Sequence, residues 1–221
     1  MSFLKTIQSF AVRNTRWVRL FFVIFYTVGV AGLSIKITTP LFIQLIPLAL
    51  ILGFVGVLLF HEAKFDRKTL LTFGIVFIVS FAIESIGVAT GEIFGGYEYG
   101  KILGIKIAET PLIIGLNWLF LVYVTSSATQ FFTDHKIISP VLAAAFMVLY
   151  DLVLEQVAPV LGMWNWENGI VPLQNYAVWF VLALLFNLCF RAMKIETRNK
   201  MAPLLFVIQF MFFLILYITN W

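Results

Sequence analysis

Seven times the chain runs through an uninterrupted apolar stretch close to the ~20 residues that a helix needs to cross a bilayer. The stretches fall at about 17 to 35, 41 to 60, 70 to 89, 111 to 132, 138 to 157, 175 to 191 and 202 to 220. No feature constrains the fold more, because lipid offers no hydrogen-bond partner to the backbone and leaves helices as the only open-ended spanning structure. With 62% hydrophobic and 12% charged residues, a soluble domain is excluded, since such domains carry about 25% charge. The expected fold class is therefore all-α: a polytopic membrane protein, a bundle of seven transmembrane helices in one domain over 17–221. Ahead of it, residues 1–16 place Phe3, Ile7, Phe10 and Ala11 opposite Lys5, Arg13 and Arg16, the pattern of an amphipathic surface helix. The first apolar run is of full spanning length, so this leader is expected to be retained rather than cleaved.

Orientation follows from the cations. With the N-terminus cytoplasmic, Lys5, Arg13, Arg16, Arg19, Lys64, Arg67, Lys68, Lys136, Arg191, Lys194, Arg198 and Lys200 all fall on the cytoplasmic side. Only Lys36, Lys101 and Lys106 remain for the other, so the positive-inside rule predicts a cytoplasmic N-terminus and an outside C-terminus, with Trp221 as an outer interfacial anchor. A multi-pass protein of the cell (inner) membrane is expected, and nucleic acid is not an expected partner. Pro40, Pro111, Pro140 and Pro203 stand near the first turns of their spans, where a missing N–H is harmless. Cys189 reads as a small core residue, and His61 and His135 as solvated loop side chains. Asn187 is expected to bond a neighbouring helix.

Against this background, buried acids carry the functional signal, because ionisable groups inside spans are costly and mark sites. Glu84 lies in the outer half of span three, about 9 Å below its end, with Ser80, Gly87 and Gly91 on its face. Asp151 and Glu155 stack at i, i+4 near the outer end of span five. Two carboxyls so close in a low dielectric do not ionise together, so the pair is a plausible proton donor. Span four adds Asn117 and Trp118 at similar depth, with Glu109 at its mouth. The outer loops supply Glu92, Tyr97, Glu98, Tyr99 and the segment GMWNWENGIVPLQN with Trp164 and Trp166, suited to a lid over a long apolar ligand. The three acids lack a histidine or a diphosphate-type aspartate motif, so a metal is not expected.

Taken together, Glu84-x-x-Gly87-x-x-Thr90-Gly91-x-x-Phe94-Gly95-x-Tyr97-x-Tyr99, then PLIIGLNW from Pro111 to Trp118, Tyr150-Asp151-x-Val153-Leu154-Glu155, Gly162-x-Trp164-x-Trp166, Pro172 and Asn175 to Trp179 resemble the membrane carotenoid hydratases. That family comprises carotenoid 1,2-hydratases and bisanhydrobacterioruberin hydratases, and the likeness covers roughly 70 to 180. Members place prolines where this chain has Gln156 and Gly115, which leaves the subfamily and the substrate open. The resemblance implies addition of water to the terminal isopropylidene double bond of an acyclic carotenoid, without a cofactor, in a lipid bilayer and alongside other enzymes of the pathway. Asp151 and Glu155 would share the proton, Glu84 hold water or complete the relay, and Asn117 orient it. Trp118, Tyr97, Tyr99, Trp164 and Trp166 would bind substrate, their π faces stabilising a cation. A lycopene-cyclase-like enzyme would make the same cation and let an alkene capture it. A proton-coupled transporter would instead need polar groups at several depths, and a rhodopsin-type protein would need a lysine that span seven lacks.

Overall fold

The computed structural model describes residues 2–220, with no side-chain account of 2–5 or 220, so Trp221 and the side chains of Phe3 and Lys5 lie outside the described residues. The elements, in chain order, are α1 Ser2–Arg13, α2 Thr15–Ser34, α3 Thr39–Gln44, α4 Ile46–Leu59, α5 Arg67–Thr90, β1 Tyr97–Tyr99, β2 Lys106–Ile107, β3 Thr110–Pro111, α6 Ile113–Thr129, α7 Ile138–Val157, β4 Trp164–Trp166, α8 Leu173–Ala192 and α9 Ala202–Asn220. Five helices are long and apolar enough to cross a membrane: α2, α5, α7, α8 and α9. Their outward faces carry apolar side chains such as Phe21, Ile24, Ile75, Ile78, Leu185 and Val207, so the molecule is a multi-pass membrane protein.

Two of the seven expected spans come out shorter. The run 41 to 60 is broken into α3 and the 14-residue α4, about 21 Å long. Pro47, in the first turn of α4, lacks the N–H that a continuous helix would need, and its ring would clash with a carbonyl one turn back. The run 111 to 132 contracts to the 17-residue α6. Pro111 does not start that helix: it pairs in β3 with Lys106. The helix α6 is apolar all round and buried along most of its length, packing against α4, α5, α7, α8 and α9, so it forms the centre of the bundle. Gly115 belongs to this packing, because a Cβ there would stand 2.8 Å from the Phe77 carbonyl oxygen of α5.

The acid-bearing helix α5 has well-defined ends. The Asp66 carboxylate accepts from the Thr69 N–H at 2.7 Å, and Gly91 closes the other end at φ +69 with its N–H on the Gly87 carbonyl. Beyond Gly91 the chain forms a small cap. β1 pairs antiparallel with β4, in the register Tyr97 with Trp166, Glu98 with Asn165 and Tyr99 with Trp164, and β2 pairs with β3. In β1 and β4 the outer residues Glu98 and Asn165 are exposed while the four aromatic residues are buried. Period-two alternation thus turns Tyr97, Tyr99, Trp164 and Trp166 into the bundle together.

At the opposite, basic end, one expectation fails. His61 is fully buried rather than solvated: its Nδ1 lies 2.7 Å from the Tyr123 hydroxyl and its ring rests against Phe65 and Phe73. His135 is exposed, its Nδ1 accepting from the backbone N–H groups of Ile137 and Ile138. Asn187 donates to its own helix at Ala183 O, 2.8 Å, and only a 4.0 Å contact with Met147 Sδ reaches α7. Cys189 is half-buried.

Candidate functional site

Beneath the cap, α5, α6, α7 and α8 converge on a small cavity of about 40 Å³. A water needs about 10 to 15 Å³ of such space, so there is room for only a few. Glu84, Tyr97, Tyr99, Asn117, Trp118, Glu155, Trp164 and Trp166 all border it, with no Lys or Arg among the lining residues. Eight of the nine residues expected to catalyse or to bind substrate therefore meet in one space. The ninth, Asp151, does not line it. It is fully buried one helical turn from Glu155, and its Oδ2 accepts from Asn175 Nδ2 at 2.9 Å. Asp151 Oδ1 and Asn117 Oδ1 are buried without a hydrogen-bond partner among the described residues.

The two wall carboxylates are held by rings. Glu84 Oε2 accepts from the Tyr97 and Tyr99 hydroxyls at 2.6 and 2.8 Å, and its Oε1 accepts from Trp118 Nε1 at 2.8 Å. Glu155 Oε2 accepts from Trp164 Nε1 and Trp166 Nε1 at 3.0 and 2.8 Å. The strand β1 thus serves one acid and β4 the other. Burial, and then the Glu84 charge, push both tyrosine phenols above their ordinary value, so both stay protonated and donate. The rings also pack on one another: Tyr97 lies 5.0 Å from Trp166 and Tyr99 6.0 Å from Trp164, centroid to centroid.

Glu109, expected at the mouth of span four, does not reach the cavity. It lies in the turn between β2 and β3, exposed, 3.8 Å from Lys106 Nζ. Lys106 instead donates to the Tyr99 carbonyl at 2.6 Å and ties that turn to the cap.

Three polar or aromatic lining residues, quoted from the sequence only as parts of the motif, had no role expected of them. Asn175 sits in the first turn of α8 and couples the cavity to Asp151. Trp179, one turn further along α8, stacks on Trp118 at 4.2 Å. Tyr150 donates to Gln209 Oε1 at 3.3 Å, and Gln209 Nε2 donates to Tyr26 at 2.6 Å, linking α7, α9 and α2. The i, i+4 spacing of Asn175 and Trp179 behind Pro172 was the available signal for the first two. Among the described residues, no three His, Cys, Asp or Glu side chains form a set able to hold a metal ion.

Residues 45–221 match the model of a family described as carotenoid biosynthesis protein. Over 178 residues the chain is 29% identical to a protein named bisanhydrobacterioruberin hydratase from Haloarcula japonica, a match covering 71% of this chain and 59% of that protein. The chain thus spans about three-fifths of the length of the curated relative it matches. No solved structure matches it.

Proposed function

The chain belongs to the carotenoid biosynthesis protein family, and from that premise we propose that it hydrates the terminal isopropylidene double bond of an acyclic carotenoid in the cavity beneath the cap. The observation that carries this reading is the pairing of ring-held carboxyls at the wall with an apolar, lysine-free surround. Hydration of a trisubstituted alkene needs a proton donor, a means of stabilising a tertiary cation and a positioned water.

Glu155 is the acid that protonates carbon. Its Oε2 receives two indole N–H groups, leaving Oε1 to carry the proton, while Asp151 one turn below keeps the pair from ionising together. The proton adds to the =CH– carbon and leaves a cation at the carbon bearing the two methyl groups. Glu84, whose oxygens accept from three donors, stands at the wall beside that cation, and the stacked Trp118 and Trp179 present π faces to it. Asn117 Oδ1 accepts from the attacking water. Water oxygen bonds to the cation and its surplus proton returns to Glu155, so one H₂O is added and no electrons are transferred.

The same reading sets the protein in the cell membrane as a single domain with seven crossings, α4 and α6 included, its cap outside and its basic end cytoplasmic, and α1 at the cytoplasmic surface. Membranes containing the protein, supplied with an acyclic carotenoid, should yield a product heavier by one water and lacking a terminal alkene. An isomer of unchanged mass would assign the chain to cyclisation instead, and proton flux across vesicles without either product would assign it to transport.

A further inference from the structure

Glu155 borders two spaces. On one side lies the small cavity; on the other, Glu155 and Trp166 border a larger cleft of about 480 Å³ whose other walls carry Gln156, Asn165 and Tyr176 along with the apolar Pro159, Ile170 and Val171. These two residues are common to both linings, whereas the two large clefts at the basic end share no lining residue with the cavity. The cleft borders the outer face of the cap. Asn165 is the exposed residue of β4 between the inward Trp164 and Trp166, and Gln156 is the exposed residue that follows Glu155 on α7.

A hydratase consumes a water at every turnover, and a cavity with room for only a few must be refilled. A tertiary cation in a space that has run dry loses a proton or is captured by another alkene, so water supply decides the product. We propose that the cleft lined by Gln156, Asn165 and Tyr176 is the water port of the site, with Trp166 as its inner gate beside Glu155. This rests on the hydratase reading given above. The route delivers water next to the group that takes up its surplus proton, while the end group of a polyene approaches from the apolar side of the bundle. Trp166, 8% exposed, fixes the gate position through its bond to Glu155 Oε2.

Filling the cleft tests this without touching the cavity. In the variant carrying Gln156→Phe and Asn165→Phe, hydration of an acyclic carotenoid should slow by at least about tenfold with little change in KM, the pattern of a lost step after binding. Gln156→Ala with Asn165→Ala should retain the parental rate. A second readout is independent of activity: with ¹⁵N-labelled tryptophan, the Trp166 indole N–H should exchange with solvent faster than that of Trp118, and the phenylalanine pair should slow Trp166 alone. If the double variant does not insert, Gln156→Phe by itself carries both measurements. Unchanged indole exchange in the filled variant, or slowed exchange with an unchanged hydration rate, overturns the port. If the parental protein hydrates nothing while the exchange pattern holds, the hydratase reading fails and the cleft stands as a solvent path to Glu155.

Discussion

At the scale of single residues, the three acids are set apart by what surrounds them. Glu155→Gln should lower turnover by about 10² to 10⁴-fold, the usual worth of a general acid, with insertion retained. Asp151→Asn should also slow turnover strongly. Near-parental rates for both, measured as hydrated product per unit protein, would remove the pair from the mechanism. Tyr97→Phe removes a hydroxyl bonded to Glu84 and should cost about 1.5 to 3 kcal/mol in stability, read as a lower melting temperature in detergent. His61 makes a prediction about pH. Burial holds its imidazole below the ordinary value, with the Glu196 charge opposing, so the unfolded chain binds the proton more readily. Stability should be fully present above about pH 6.5 and fall as pH drops from there through the folded value. His61→Gln should flatten that part of the melting curve, and an equal slope in the variant would assign it to other groups. The acids were legible because Asp151 and Glu155 stand at helical spacing and Glu84 is alone in an apolar run. His61 was not, since the polar segment HEAKFDRK around it reads as a solvated loop. The groups that enclose it, Tyr123 and Phe73, come from α6 and α5, and no local pattern announces them.

At the scale of elements, the cap decides whether the acids are held at all. Its two strands lie about 65 residues apart in sequence, so neither shows in its own neighbourhood that it will pair; only the shared aromatic alternation of YEY and WNW hints at it. Pairing brings the Gly100 N–H to the Met163 carbonyl at 2.8 Å, and a Cβ at Gly100 would collide with the Gly162 carbonyl oxygen. Gly100→Ala should therefore part β1 from β4 and let water reach Trp164 and Trp166. The expected signs are a red shift of tryptophan emission and a marked loss of hydration with the helices intact by circular dichroism. An unshifted spectrum would show that the strands tolerate the methyl group. Helix existence was legible from apolar length, and helix ends much less so: Pro47 splits one run and Pro111 is drawn into a strand, both outcomes of competition between backbone groups that composition does not encode.

At the scale of the whole molecule, polarity is divided by end. The acids and their ring donors lie under the cap, and most cations lie at the end bearing His61, Arg191 and Lys200. In a Cys189→Ser background, a membrane-impermeant thiol reagent added to intact cells should label Glu98→Cys on the cap and spare Lys136→Cys; the reverse would invert the proposed orientation. The apolar runs made the membrane class legible, whereas the central place of α6 was not, because a helix apolar all round looks the same whether lipid or other helices cover it. One property of the cap bears on how such a protein can change over generations. The four ring donors face inward only because residues two apart on a strand share a side. Gaining or losing one residue in either strand would turn its donors to the water side in a single step and leave Glu84 with Trp118 alone, or Glu155 without its indoles. Substitutions can tune this chemistry gradually, but length changes in YEY or WNW offer no intermediate, so new substrate preferences in descendants of this chain have to arise by exchange of side chains at fixed strand length.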